Sequence, residues 1–167
     1  MAVFNMLPMG GKGGLDAEVT PWIVNGVFSN FTPVWTKGAK GHNNSATAAT
    51  DGYVRLYSTG SDGGGTNVGT SETISPGQFD FVLLKVKISQ FLSNDSYKFR
   101  MGMLNGTQSG AWQSVDHSVM VTELTPGDYE WFTYSMRGLN HQATAKHFLL
   151  SIVGTVDIYE VYFVKMN

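Results

Sequence analysis

The last third of the chain, residues 119–167, alternates strand-forming segments with turn signals, and this pattern constrains the fold more than any other feature. Residues 119–121 lead into a turn that contains Pro-Gly. We predict three strands after that turn. Short strands bounded by turns are typical of an antiparallel sandwich or barrel. The three predicted strands cover residues 129–136, 147–153 and 156–164.

Upstream segments show the two-residue alternation of half-buried strands. Within residues 79–89, Lys85 and Lys87 fall on one face of the strand, and the other face carries Val82, Leu84, Val86 and Ile88. Arg55 and Tyr57 likewise share one face of a short strand. About eight such strands predict an all-β fold, an antiparallel β-sandwich of the jelly-roll type.

The start of the chain differs from the rest. An apolar tip precedes a glycine-rich hinge at residues 10–14. We predict an extended arm over residues 1–20 that docks on a neighbouring subunit, followed by one sandwich domain over residues 21–167. The alternative is an ordinary frayed terminus. The apolar residues assigned to this anchoring arm are Phe4, Met6, Leu7 and Met9.

Composition excludes several classes of function. The net charge is -2 and no basic stripe is present, which argues against nucleic-acid binding. The chain has no cysteine, so disulfides and thiolate chemistry are excluded. Its longest apolar stretch, residues 148–153, is too short to span a membrane. Charged residues make up only 14%, against about 25% in a typical domain, which favours a surface that is polar and adhesive.

The sequence contains no recognisable catalytic constellation. Most acidic residues lie beside turn residues, where they serve local backbone bonds. Asp157 and Glu160 fall in or near the last strand, but the sequence does not reveal a catalytic pair. The four histidines have no metal-ligand spacing, and no G-x-S-x-G motif occurs. We therefore predict no enzyme activity and no cofactor, with a structural calcium held by Asp62, Asn67 and loop carbonyls as the alternative.

Aromatic residues provide the best argument for binding, because sugar rings stack on tryptophan and tyrosine faces. Trp112 lies in a segment typical of a loop, and Tyr57 shares a strand face with Arg55. The alternation leaves open which way Trp131 points, and core packing is the alternative for every aromatic residue. The predicted ligand-binding residues are Trp112, Tyr57, Arg55, Arg100 and Trp131.

Residues 79–89, 126–129 and 156–165 resemble the jelly-roll domains of carbohydrate-binding modules and the accessory domains of phage tails and capsids. Residues 5–11 are similar to the starts of some phage tail and fibre proteins. The resemblance implies a non-enzymatic virion protein on a tail or capsid, anchored by its arm to other virion proteins. Such a protein is expected to be a homo-oligomer that binds host surface glycans, because repetition strengthens a weak site. The alternatives are a carbohydrate-binding module of a larger extracellular enzyme and a small hydrolase.

Overall fold

The computed structural model describes residues 16–37, 45–48, 52–57, 66–91, 99–104, 115–121, 129–137, 144–152 and 154–167. These residues form twelve β-strands in two antiparallel sheets. The strands are β1 (Ala17–Val24), β2 (Val27–Phe28), β3 (Pro33–Lys37), β4 (Ser45–Ala48), β5 (Val54–Tyr57), β6 (Thr66–Thr70), β7 (Phe81–Phe91), β8 (Phe99–Leu104), β9 (Val115–Val121), β10 (Tyr129–Ser135), β11 (His147–Ile152) and β12 (Gly154–Met166).

The long strand β12 organises the larger sheet, which has seven strands. One edge of β12 pairs with β7, and β7 pairs in turn with β10. The other edge of β12 pairs first with β5 and then with β1. The strands β4 and β2 extend the sheet beyond β5 and β1. The smaller sheet has five strands in the order β3-β6-β11-β8-β9.

An aromatic cluster joins the two sheets. Trp22 and Phe163 come from the seven-stranded sheet, and Phe148 comes from the five-stranded sheet; all three are fully buried. The ring centroids of Phe148 and Phe163 are 5.3 Å apart, and those of Trp22 and Phe148 are 6.0 Å apart. The Trp22 indole also donates a hydrogen bond of 3.1 Å to the carbonyl of Phe31. The sheets therefore pack face to face, and the predicted antiparallel β-sandwich is confirmed.

The prediction of about eight strands was too low, because the described residues contain twelve. Strands β4 and β6 lack the alternation on which that count depended. Their sequences, SATA and TNVGT, carry little apolar alternation, yet their main chains pair fully with neighbouring strands. Strand β1 begins at Ala17, inside the segment assigned to the arm. The arm residues Phe4, Met6, Leu7 and Met9 lie outside the described residues, so their anchoring role stays a prediction. No helix in the described part of the chain has the length and hydropathy needed to cross a membrane.

Candidate functional site

The face of the seven-stranded sheet that is turned away from the core, the outer face, carries polar and aromatic side chains in register. On β7, Leu84 and Val86 are buried in the core. Lys85 and Lys87 alternate with them and therefore point outward. On β5, Arg55 lies outward by the same alternation, because its neighbours are buried. These strands are adjacent to β12, so their outward side chains converge on the residues of β12.

An irregularity in β12 places two carboxylates on the outer face. Asp157 and Glu160 are three residues apart, and in a regular strand they would lie on opposite faces. The register shifts between Ile158 and Glu160, so that Tyr159 is the extra residue of a β-bulge. The bulge lies where the edge of β12 changes partner from β5 to β1. Both carboxylates consequently face the cations of neighbouring strands.

The first group of contacts, the tryptophan cluster, consists of Trp131, Lys85, Glu160 and Tyr162. The Lys85 ammonium lies 5.7 Å from the centroid of the half-buried Trp131 ring and 3.7 Å from Glu160 Oε1. The Tyr162 hydroxyl donates a hydrogen bond of 2.6 Å to Glu160 Oε2. Burial, aided by this bond, raises the pKa of Tyr162 well above its usual range, so the hydroxyl keeps its proton. Trp131 points outward because Tyr134, on the alternate face, is fully buried.

The second group, the arginine cluster, consists of Arg55, Asp157, Tyr53 and Tyr159. Arg55 donates to both oxygens of Asp157, from Nε at 2.6 Å and from Nη2 at 2.8 Å. This paired bond raises the pKa of the guanidinium above its usual range. The guanidinium carbon lies 5.2 Å from the centroid of Tyr53, whose ring packs 5.2 Å from that of Tyr159. The guanidinium and the two tyrosine rings therefore pack against one another in fixed positions.

A tight turn supports the arginine cluster from below. Asn25 and Gly26 have φ angles of 50° and 77°, and they connect β1 to β2. Two successive positive φ angles are typical of the hairpin turn that favours Asn-Gly. A Cβ atom at Gly26 would lie 3.0 Å from the backbone nitrogen and oxygen of Tyr53. The backbone next to the tyrosine pair can approach the turn this closely only because residue 26 is glycine.

The two clusters form one continuous surface. Lys85 and Lys87 are two residues apart on β7, which places their partners about 7 Å apart along the sheet. Across the sheet, Trp131 on β10 and Arg55 on β5 are separated by three strand spacings, about 14 Å. Aromatic rings and fixed hydrogen-bonding groups thus extend over the length of this face. Such a surface suits an elongated ligand with many hydroxyl groups.

The structure brings together three of the five predicted ligand-binding residues. Arg55, Tyr57 and Trp131 all lie on strands of the seven-stranded sheet and face outward, with Tyr57 exposed. Arg100 lies on β8 of the other sheet, opposite Ser151 and Met120, and does not share their surface. Trp112 lies outside the described residues. The binding role of all five stays a prediction.

Sequence reasoning missed most of the groups that hold this face in place. Glu160 and Tyr162 were placed in the last predicted strand, residues 156–164, but neither was assigned to a face or to a binding role. Tyr53 and Tyr159 are distant in sequence and meet only through the pairing of β5 with β12. The Asn25-Gly26 pair was a recognisable hairpin signal that the sequence interpretation passed over.

A second tryptophan is exposed at the edge of the sandwich. Trp35 on β3 is 40% exposed and packs edge-on against Phe28, with ring centroids 5.5 Å apart. An open depression of about 360 Å³ lies beside it, lined by residues 28–33. Its described lining residues include no charged side chain, unlike the outer face with its paired cations and carboxylates.

The described residues contain no group of three or more histidine, aspartate or glutamate side chains that could hold a metal ion. Of the predicted calcium ligands, Asn67 lies buried in β6, opposite Ser151 of β11. Asp62 lies outside the described part of the chain. The structural calcium therefore stays a prediction.

Comparison with solved structures identifies the fold. The chain is similar to a family 29 carbohydrate-binding module variant complexed with mannohexaose, with a TM-score of 0.56, 6% identity, and coverage of 91% of this chain and 94% of that one. For a variant complexed with cellulohexaose the TM-score is 0.55 and the identity 9%, with coverage of 90% of this chain and 93% of that one. For another family 29 module the TM-score is 0.55 and the identity 8%, with coverage of 91% of both chains. No family model and no curated protein matches the chain. The jelly-roll prediction is confirmed, and none of the comparisons indicates a phage protein.

Proposed function

We propose that this chain is a non-catalytic carbohydrate-binding module and that its outer face is the glycan-binding surface. The observation that carries the proposal is the tryptophan cluster, in which the half-buried Trp131 ring lies beside Lys85 and the Glu160–Tyr162 pair. The likeness in fold to modules complexed with cellulohexaose and mannohexaose supports it.

The geometry suits a sugar chain for two physical reasons. A pyranose ring presents C–H groups on its faces, which pack on an indole, and hydroxyl groups on its rim, which need hydrogen-bond partners. The ammonium of Lys85 and the carboxylate of Glu160 provide a donor and an acceptor next to the ring of Trp131. Because they are held by each other and by Tyr162, binding a sugar orders few additional side chains.

The carboxylates of this face fit a binding role better than hydrolysis. Glycoside hydrolysis needs two carboxyl groups that flank the scissile bond. Asp157 is only 5% exposed and lies beneath Arg55, which occupies both of its oxygens. It therefore does not reach a glycosidic bond on the surface, and among the described residues Glu160 has no second carboxyl group opposite it across the face.

Calorimetric titration with cellohexaose and mannohexaose tests the proposal. Trp131→Ala should weaken binding about thirtyfold, since truncating a central aromatic contact costs about 2 kcal/mol. Trp35→Ala is the matched control, because it removes an exposed tryptophan outside the outer face and should leave the affinity unchanged. Absence of binding to any oligosaccharide, or loss of binding in the Trp35 variant alone, would overturn the proposal.

We further infer that the module acts as part of a larger extracellular enzyme, because the similar structures are carbohydrate-binding modules. The virion role, with oligomerisation and an anchoring arm, remains an alternative from the sequence resemblance. Mass spectrometry of purified phage particles addresses it. In that case the chain should co-sediment with particles, and deletion of residues 1–14 should abolish incorporation while leaving a folded domain.

A further inference from the structure

A second aromatic surface lies where the two sheets meet at one edge of the sandwich. In the order of the described strands, β2 ends the seven-stranded sheet and β3 ends the five-stranded sheet. Trp35 of β3 packs against Phe28 of β2, yet 40% of its surface stays exposed. Tryptophan is highly buried on average, so a ring that only sealed this seam would be covered more completely. Trp35 therefore offers an aromatic surface to a ligand.

The depression beside Trp35 has a fixed wall, because the loop that forms it is hydrogen-bonded at several points. The backbone N–H of Ser29 donates to the carbonyl of Trp22 at 2.9 Å. The Glu72 carboxylate accepts from the backbone N–H of Thr32 at 2.8 Å and from its hydroxyl at 2.9 Å. These bonds form without a ligand, so binding here orders few additional groups of the protein.

The polar side chains of this loop donate their hydrogens within the protein. Asn30 Nδ2 donates to the carbonyl of Pro21 at 2.6 Å and to Ser29 Oγ at 3.4 Å. The Ser29 hydroxyl donates to the same carbonyl at 3.1 Å, and the Thr32 hydroxyl donates to Glu72. The side-chain oxygens of Asn30, Ser29 and Thr32 keep lone pairs that accept further hydrogen bonds. The lining thus presents uncharged acceptors, which suit a neutral ligand rich in hydroxyl donors.

We propose that this depression and the exposed surface of Trp35 form a second glycan site, which binds a single neutral sugar ring, free or at the end of a chain. The C–H face of the ring packs on the indole, and its hydroxyls donate to the loop acceptors. The volume of about 360 Å³ is near the lower end of the range of about 300–1,000 Å³ for ligand pockets, which fits a ligand of this size.

The second site does not depend on the outer face. Trp131 lies on β10 and Phe28 on β2, which are four strand spacings apart, about 19 Å. A single sugar ring does not span that distance. The two sites therefore bind sugar separately, and each can be lost without the other.

Nuclear magnetic resonance titration with methyl β-mannopyranoside and methyl β-glucopyranoside tests the second site. The indole N–H signal of Trp35 is the one that Trp35→Leu removes. This signal and the side-chain amide signal of Asn30 should shift with at least one of the sugars. The expected dissociation constant is about 1–10 mM, as for one ring on an open surface. The hexasaccharide titration of the outer face uses concentrations far below this range, so Trp35→Ala remains a control there.

Variants and an analogue separate sugar binding from a local structural effect. Trp35→Leu keeps the seam apolar but removes the aromatic surface, so the Asn30 signal should need at least about tenfold more sugar to shift. Val27→Ala is the matched control, because Val27 is 66% exposed next to Phe28 but does not line the depression; the dissociation constant should not change. Tetrahydropyran, a ring of the same size without hydroxyl groups, should not bind. Dispersion of the backbone amide signals establishes that each variant folds.

The outcomes distinguish this inference from the proposed function. Trp131→Ala should weaken hexasaccharide binding and leave the Trp35 shift intact. Absence of a Trp35 shift with both sugars, an equal shift with tetrahydropyran, or an Asn30 response that survives Trp35→Leu would overturn the second site and leave the outer face standing. Loss of the Trp35 shift in Trp131→Ala would also overturn it as a separate site. A Trp35 shift without hexasaccharide binding at Trp131 would overturn the proposed function alone.

Discussion

Trp22 and Trp131 belong to the same sheet but to opposite faces of it, and their surroundings differ in kind. Trp22 is fully buried among the rings of Phe148 and Phe163 and donates its indole N–H to a backbone carbonyl. Trp131 is half-buried beside the Lys85 ammonium. The same residue type thus stabilises the sandwich on the inner face and offers a binding surface on the outer face.

Truncating the two tryptophans should separate these roles most clearly. Trp22→Ala should lower the free energy of unfolding by about 3–5 kcal/mol, because it leaves a large cavity among packed rings. Trp131→Ala should lower it by about 1 kcal/mol or less, as expected for a residue outside the core. Urea titration measures both. Equal losses would mean that Trp131 is a structural residue, and the comparison of the two faces would break down.

Two ion pairs on the outer face, Arg55–Asp157 and Lys85–Glu160, should also differ in how much they stabilise the fold. Arg55→Ala leaves the Asp157 carboxylate buried without its bidentate partner, so we expect a loss of about 2–3 kcal/mol, below the full cost of breaking a buried pair because Arg55 is itself partly exposed. Lys85→Ala breaks a pair that is longer and whose carboxylate is more exposed, and it should cost under about 1 kcal/mol. Chemical denaturation of the two variants in parallel makes the comparison, and a larger loss for Lys85 would reverse it.

The inner face was largely predictable from the sequence, and the outer face was not. Strict alternation in residues 82–88 assigned Val82 and Leu84 to the core, because a strand has two faces and one must be apolar. The same rule fails for Asp157 and Glu160, since a bulge at Tyr159 changes the alternation between them. A bulge depends on which strands pair, and pairing is a long-range property.

The pairings themselves explain why half of the site was missed. Arg55 and Asp157 are 102 positions apart in sequence, and the meeting of their strands requires the whole order of the sheet. Trp131 could be assigned a face only once Tyr134 was seen in the core. The polar faces of Arg55 and Lys85 were recognisable in advance, but the carboxylates with which they pair, Asp157 and Glu160, were not.

Gly26 and Gly77 have similar φ angles but different surroundings, so substituting each tests how much the turn beneath the outer face depends on its close approach to Tyr53. Gly26→Ala should cost about 2–3 kcal/mol, because it combines a positive φ of 77° with a Cβ only 3.0 Å from the Tyr53 backbone. Gly77→Ala is the matched control, because its φ is 78° and a Cβ atom added there would meet nothing within 4 Å, so it should cost about 1 kcal/mol. Thermal unfolding reports both values. Equal costs would show that the close approach to Tyr53 contributes nothing.

The smallest effect on stability is expected for Asp80, which precedes β7 and contacts the end of β12. The backbone N–H of Met166 donates to its carboxylate at 2.8 Å, and Lys165 lies 3.2 Å away. These contacts, the N–H bond first, hold the pKa of Asp80 below its usual range, against the opposing effect of burial. Because the pKa of Asp80 is lower in the folded state, its charge stabilises the fold at pH values above the unfolded-state pKa of about 3.9. This stabilisation is lost as the pH falls through the folded-state pKa.

Asp80→Asn should therefore be slightly less stable than the parent at neutral pH, by under about 1 kcal/mol because the group is partly exposed. The difference should narrow as the pH falls below about 4, where the parent loses the charge that the variant never had. Melting temperatures recorded from neutral to acidic pH, at low and high salt, measure the convergence. Parallel profiles over the whole range would show that the carboxylate charge of Asp80 does not stabilise the junction of β7 and β12.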